Sequence, residues 1–135
     1  MRYKYLIPAL FAVSACVSAP AGADGGGGSW ANVDTDWRLV EMDGAPFPAK
    51  ATLRIGAAAV LGKGPCNSYR GSRKGDYPAL EIAQIAATRM TCPDLALESA
   101  YLTRLGGMTE GRIDGDRLIL SDGKGGSLVF QAAPG

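Results

Sequence analysis

The chain contains no histidine. That excludes Ser-His-Asp and Cys-His arrangements, and with them hydrolysis by the familiar activated nucleophiles. The common imidazole-containing metal sets go the same way. No pair of carboxylates stands out as acid and nucleophile, and the glycine-flanked Lys63 and Lys124 lack a phosphate-loop pattern. Neither sign of charge dominates: 14 Lys and Arg stand against 13 Asp and Glu across 135 residues, and they are scattered. A nucleic-acid groove needs clustered cations, so no nucleic-acid partner is expected. Aromatic residues make up only 7% and alanines are many, which suits a small interior filled by side chains better than a ligand cavity. No internal repeat is evident. Neither an enzyme nor a bound cofactor or metal is expected.

Long apolar runs are also lacking. The first sixteen residues, MRYKYLIPALFAVSAC, carry two basic residues, an apolar stretch from Leu6 to Val13, and small residues before a cysteine. The stretch is too short for a retained transmembrane helix and reads as an export signal over residues 1–15. Val13-Ser14-Ala15-Cys16 resembles the lipobox of bacterial lipoproteins, which implies acyl chains on Cys16 and a membrane held through them. An ordinary secreted protein cut after Ala21-Gly22-Ala23 is the competing reading. Loss of Arg2 and Lys4 leaves a net charge of about −1. Residues 16–33, rich in Gly, Ala and Ser, then form a flexible tether with a reach of roughly 20 to 25 Å. Val17, where inner-membrane lipoproteins of the enterobacterial type have Asp, implies the outer membrane, facing the periplasm.

Cys66 and Cys92 remain. An even pair in an exported domain is most simply a disulfide, and closing a loop of about 27 residues contributes roughly 3 to 3.5 kcal/mol on the chain-entropy model. A redox-active pair, which usually has Cys-x-x-Cys spacing, and a soft copper(I) site using Met90 are the alternatives. Met90 itself reads as core. The staple would hold GKGPCNSYRG, residues 62–71, whose glycines and proline pack poorly by themselves.

Over residues 34–133 the pattern is strands, one helix, strands. WRLVEM alternates, with Trp37, Leu39 and Glu41 on one face, until DGAPFP breaks it. ATLRIG follows, then AAVLGKG running on into PCNSYRG, then YPALEI after Lys74-Gly75-Asp76, then an extended AQIAATRMTC. Pro93 suits the first helical position, and DLALESAYLTRL continues to Gly106-Gly107 with Leu97, Tyr101 and Leu105 on an apolar face. Asp94 and Glu98 read as helix-start charges that complement the dipole, and Arg104 as their late counterpart. MTEGRID, RLILSD and SLVFQA close the chain as a meander, with Asp-Gly turns. This order predicts an α+β fold: a curled antiparallel β-sheet or cracked β-barrel packed on a single α-helix.

Taken together, the chain resembles the META domain, or HslJ-like, family. The resemblance rests on Trp37-Arg38-Leu39, Gly62 through Cys66-Asn67 with Tyr69 and Gly71, Thr88-Arg89-Met90-Thr91-Cys92, Glu98 with Tyr101 and Leu105, and Leu118-Ile119-Leu120 with Leu128 and Phe130. It covers nearly all of residues 37–130. Pro65 departs from it, standing where the commonest pattern has glycine, and should lie at a bulge or an unpaired edge. The resemblance implies a cracked antiparallel barrel on one helix, often in an envelope lipoprotein with a heat-shock name, and no agreed catalytic activity. Gly62, Cys66, Asn67 and Thr88 read as structural residues, with Asn67 satisfying backbone groups around the bulge. The expected function is a non-catalytic, lipid-anchored envelope protein that binds a macromolecular partner, such as another envelope protein, or supports the envelope under stress. The alternative is a carrier of a small apolar ligand in the barrel interior.

Overall fold

The computed structural model describes Trp30 and residues 35–133. Cys16, the export signal and most of the expected tether lie outside the described residues. Nine strands and one helix make up what is described: β1 Trp37–Met42, β2 Ala45–Pro46, β3 Thr52–Ile55, β4 Ala59–Lys63, β5 Ser68–Lys74, β6 Glu81–Ala87, α1 Leu95–Leu105, β7 Glu110–Asp114, β8 Arg117–Ser121 and β9 Ser127–Ala132. Among the described residues no helix is long and apolar enough to cross a membrane.

All strand pairs are antiparallel, in the order β6-β5-β4-β3-β1-β9-β8-β7, with the short β2 attached to β1. β1 is therefore central, and hairpins extend the sheet to either side. The helix falls in sequence between the two edge strands, β6 and β7. The segment before β6 carries the closure: Leu80 N–H donates to Thr109 O (3.0 Å) and Gly111 N–H to Pro78 O (2.8 Å), beside an Ala79–Glu110 bridge. The sheet is thus a curled half-barrel whose crack is partly stitched.

Alternation places Leu53, Val60, Tyr69, Leu118, Leu120, Leu128 and Phe130 on the inner face, where they are buried with Tyr101 and Leu105 of α1. Each fully buried leucine or phenylalanine contributes about 1.5–3 kcal/mol relative to exposure. The Tyr101 ring is the hub, edge-on to Tyr69 and Phe130 with centroids at 5.8 and 6.4 Å. Aromatic pairs in that geometry add to what burial alone provides.

Several expectations shift. The alternation in β1 fails after Leu39, because the pairing with β9 slips between Leu39 and Glu41, and Glu41 is only half-buried. DGAPFP does not simply break the strand. Asp43 (φ 53°) and Gly44 (φ 84°) make a two-residue turn, and Met42 pairs with Ala45. AAVLGKG does not run on into PCNSYRG: the chain reverses at residues 64–67, with Lys63 paired to Ser68. Pro65 sits in that reversal, where the missing N–H disturbs no ladder. YPALEI is not a strand either. Tyr77–Leu80 form the stitch, through a cis Tyr77-Pro78 bond, and β6 begins at Glu81. The helix starts at Leu95, two residues beyond Pro93, with Asp94 at the N-cap and no side-chain cap bond.

Trp30 falls in the stretch read as tether, yet it is only 4% exposed. Its indole N–H donates to Ala79 O at 2.8 Å, and its ring lies 4.9 Å from that of Tyr77. A side chain of this size with its one donor satisfied gains enough from burial to order a residue within a glycine-rich neighbourhood. It reaches Gly111, where a Cβ would come within 2.8 Å of the indole.

Candidate functional site

The motif residues converge at the corner between β4 and β5. Gly64 N–H bonds Asn67 O (2.8 Å), closing the turn, and Cys66 is joined to Cys92 across a Cα separation of 5.9 Å. The disulfide engages both sulfurs that a copper(I) site would need as free thiolates, whereas a redox-active pair would show this same bond in its oxidised form.

Below the turn lies Glu98, 4% exposed. Its Oε1 accepts from the backbone N–H groups of Cys66 (2.9 Å) and Asn67 (2.6 Å), and its Oε2 accepts from Asn67 Nδ2 (2.6 Å). Burial opposes ionisation of this carboxyl, but the Asn67 amide and the two backbone donors outweigh it and hold the pKa below the ordinary glutamate value. Glu98 lies in the first turn of the helix, as its reading as a helix-start charge requires, and its carboxylate has a second role that the reading did not include. It sits on the buried stripe Glu98, Tyr101, Leu105 and acts as the anchor of a turn about thirty residues earlier in the chain.

Asn67 is 3% exposed and faces two ways. Its Oδ1 accepts from Met90 N–H (2.6 Å) and Thr88 Oγ1 (3.0 Å), while Nδ2 also reaches Met90 O (3.1 Å). Its amide thus pairs with the backbone of Met90 as a neighbouring strand would, and its backbone is not left-handed. The groups it satisfies belong to residues 88–90 and not to a local bulge. Met90, expected in the core, is 61% exposed. Only its main chain is engaged, because the bonds from Asn67 turn that backbone inward.

Glycines make room for these contacts. A Cβ on Gly64 would lie 2.6 Å from Glu98 Oε1, and one on Gly62 would lie 2.1 Å from Thr52 O. Above Gly62, Tyr69 donates to Thr52 O (2.6 Å), so at the 2.6 Å contact between the two hydroxyls it is Tyr101 that donates to Tyr69. Burial pushes both phenols up, well above the ordinary tyrosine range. Gly71 lies against Ala83 O and Ile85, where the β5–β6 register slips. Trp37 stands apart, buried at the start of β1 opposite Leu53.

A second polar knot was not foreseen. Arg104 donates to Asp43 Oδ2 at 2.5 Å and lies 3.6 Å from Asp122 Oδ2. Asp43 Oδ1 accepts from Ser127 N–H, and Asp122 Oδ1 from the N–H groups of Lys124 and Gly126. The two backbone donors, with Arg104 nearby, hold the Asp122 carboxyl below its ordinary pKa. One arginine thus ties the end of the helix to both hairpin turns. The signal was an aspartate beside glycine in each turn, legible as turn chemistry but not as an arginine partner.

Comparison with known proteins agrees with this geometry. A family model described as the META domain matches residues 31–135. The fold is similar to that in the NMR structure of a protein from Burkholderia xenovorans, with a TM-score of 0.61 and 24% identity over 76% of this chain and 83% of that one. It is also similar to the crystal structure of a DUF4847 family protein from Bacteroides vulgatus, with a TM-score of 0.59 and 14% identity over 73% and 92%. No curated protein matches. With the family model covering the whole described sheet and helix, the chain belongs to the META domain family.

Proposed function

We propose that the protein is a non-catalytic, lipid-anchored component of a bacterial cell envelope that docks a macromolecular partner or supports the envelope under stress. The observation carrying this reading is the direction of the motif's polar groups. Both Glu98 oxygens, the Asn67 amide and the Tyr69 hydroxyl are taken up by one another and by backbone, so these residues build a rigid corner and offer little to a substrate. The lipobox-like Val13-Ser14-Ala15-Cys16 supports the anchor, and Val17 supports the outer membrane. The carrier alternative is less well supported, because Tyr101, Phe130, Leu53 and Leu118 occupy the inner face where a ligand would lie.

Cross-linking in intact cells, followed by capture of the protein, tests the reading. A specific adduct with an envelope component is expected. Recovery of the protein alone, under conditions where a known envelope complex is captured, contradicts a docking role.

A further inference from the structure

The outer face of the sheet carries an open groove of about 890 Å³, formed by β3, β4, β5 and the end of β6. The register defines its floor. Leu61 on β4 lies directly between Arg54 on β3 and Arg70 on β5, and it is 48% exposed. Lys63 is two residues along on the same face, opposite Ser68, which makes it a diagonal neighbour of Arg70, about 7–8 Å away between Cα atoms. Ala86, paired with Arg70, continues the apolar floor. Cations scattered in sequence are gathered here by strand pairing.

Their partners differ. Arg54 is held by Asp36, at 2.7 and 2.9 Å, so the one carboxylate lining the groove is already neutralised. Lys63 and Arg70 are exposed and have no ion pair among the described residues. Two uncompensated cations this close suit one anionic group better than a row of them, and the leucine beside them suits an apolar portion joined to that anion. An acidic peptide fits less well, since its carboxylates repeat along an extended chain.

We infer that this groove docks an anionic phospholipid of the bilayer, its phosphate between Lys63 and Arg70 and its glycerol and first acyl carbons against Leu61. The inference rests on the reading that the domain is held at a membrane. On the reading of the stretch after Cys16 as a Gly-rich tether, the fourteen residues to Trp30 would have a reach of roughly 20 Å, short enough to keep the sheet near the headgroups.

The test uses the chain from residue 16 onward, which contains every described element, with Cys16→Ser so that no acyl chain contributes. Its flotation is measured with vesicles of phosphatidylcholine alone and with phosphatidylglycerol added. Binding only to the anionic vesicles is expected, about fivefold weaker for Lys63→Gln or Arg70→Gln, weaker for Leu61→Ser, and unchanged for Arg117→Gln on β8. Millimolar inorganic phosphate should not displace the protein. The proposal is overturned by absence of binding, by equal binding to neutral vesicles, by an equal loss with Arg117→Gln, by displacement with phosphate, or by capture of polyglutamate in place of vesicles. Because Cys16 is replaced, the groove and the anchor fail separately: an unlipidated native protein refutes the anchor, and charge-independent flotation refutes the groove.

Discussion

Glu98 and Asn67 meet twice: one carboxylate oxygen takes the Asn67 backbone N–H and the other its side-chain amide, each at 2.6 Å. The pair couples the first turns of the helix to the β4–β5 corner, and Asn67 passes the connection on to Met90. Replacing Glu98 by Ala leaves the N–H groups of Cys66 and Asn67 buried without an acceptor. The expected loss is about 3 kcal/mol, read from urea unfolding of the oxidised protein. Glu98→Gln, which keeps one oxygen but turns an amide towards donors, should lose less.

The same carboxylate makes the fold acid-sensitive. Its folded-state pKa lies below its unfolded value, so its contribution is fully present above the unfolded value of 4.5 and is lost as pH falls through the folded one. Unfolding midpoints measured between pH 7 and pH 3 should fall below about pH 4.5. Glu98→Gln should flatten that fall, whereas Glu110→Gln, on an exposed pair with Arg112, should leave it unchanged.

Gly62 is required by close approach and not by its backbone angles. A methyl group there would meet the Thr52 carbonyl and the Tyr69 hydroxyl, so Gly62→Ala should cost about 1–3 kcal/mol as an overpacked site. At Gly107, just past the helix, the nearest atom stands 3.6 Å from a Cβ. Gly107→Ala should be neutral or stabilising by about 0.5 kcal/mol. Thermal melts of the two variants should move in different directions, or the second should not move.

Trp30 belongs to the packed domain. Trp30→Ala should lower stability by about 3–5 kcal/mol, as removal of a buried aromatic does. In the intact protein Trp30 fluorescence, isolated in a Trp37→Phe background, should resist acrylamide quenching. Quenching as fast as that of a free indole would place it in solvent.

Much of the fold was legible because local chemistry and tertiary pairing agree. Trp37-Arg38-Leu39, the Asp-Gly turn after β7 and the helix from the Leu-Tyr-Leu stripe all follow from short-range patterns that the sheet then uses. What was missed depends on partners distant in sequence. Glu98 is legible as a helix-start charge, but its partners Cys66 and Asn67, about thirty residues earlier, are not. Met90 looks like core until its backbone, and not its thioether, is drawn in by Asn67. Tyr77-Pro78-Ala79-Leu80 has the composition of a strand but stitches the crack, a role set by β7 some thirty residues later. Trp30 was hidden by its glycine-rich surroundings. The groove around Leu61 was illegible for the same reason, since Arg54, Lys63 and Arg70 become neighbours only through register.

The most direct measurement is the intact mass of the protein extracted from its native membrane and alkylated without reduction. A mass beginning at Cys16, increased by acyl chains and carrying no alkyl group on Cys66 or Cys92, is the expected result for an anchored, disulfide-stapled META domain. A mass beginning near Asp24, with no acyl chain and with two alkylated thiols, would contradict both the anchor and the staple.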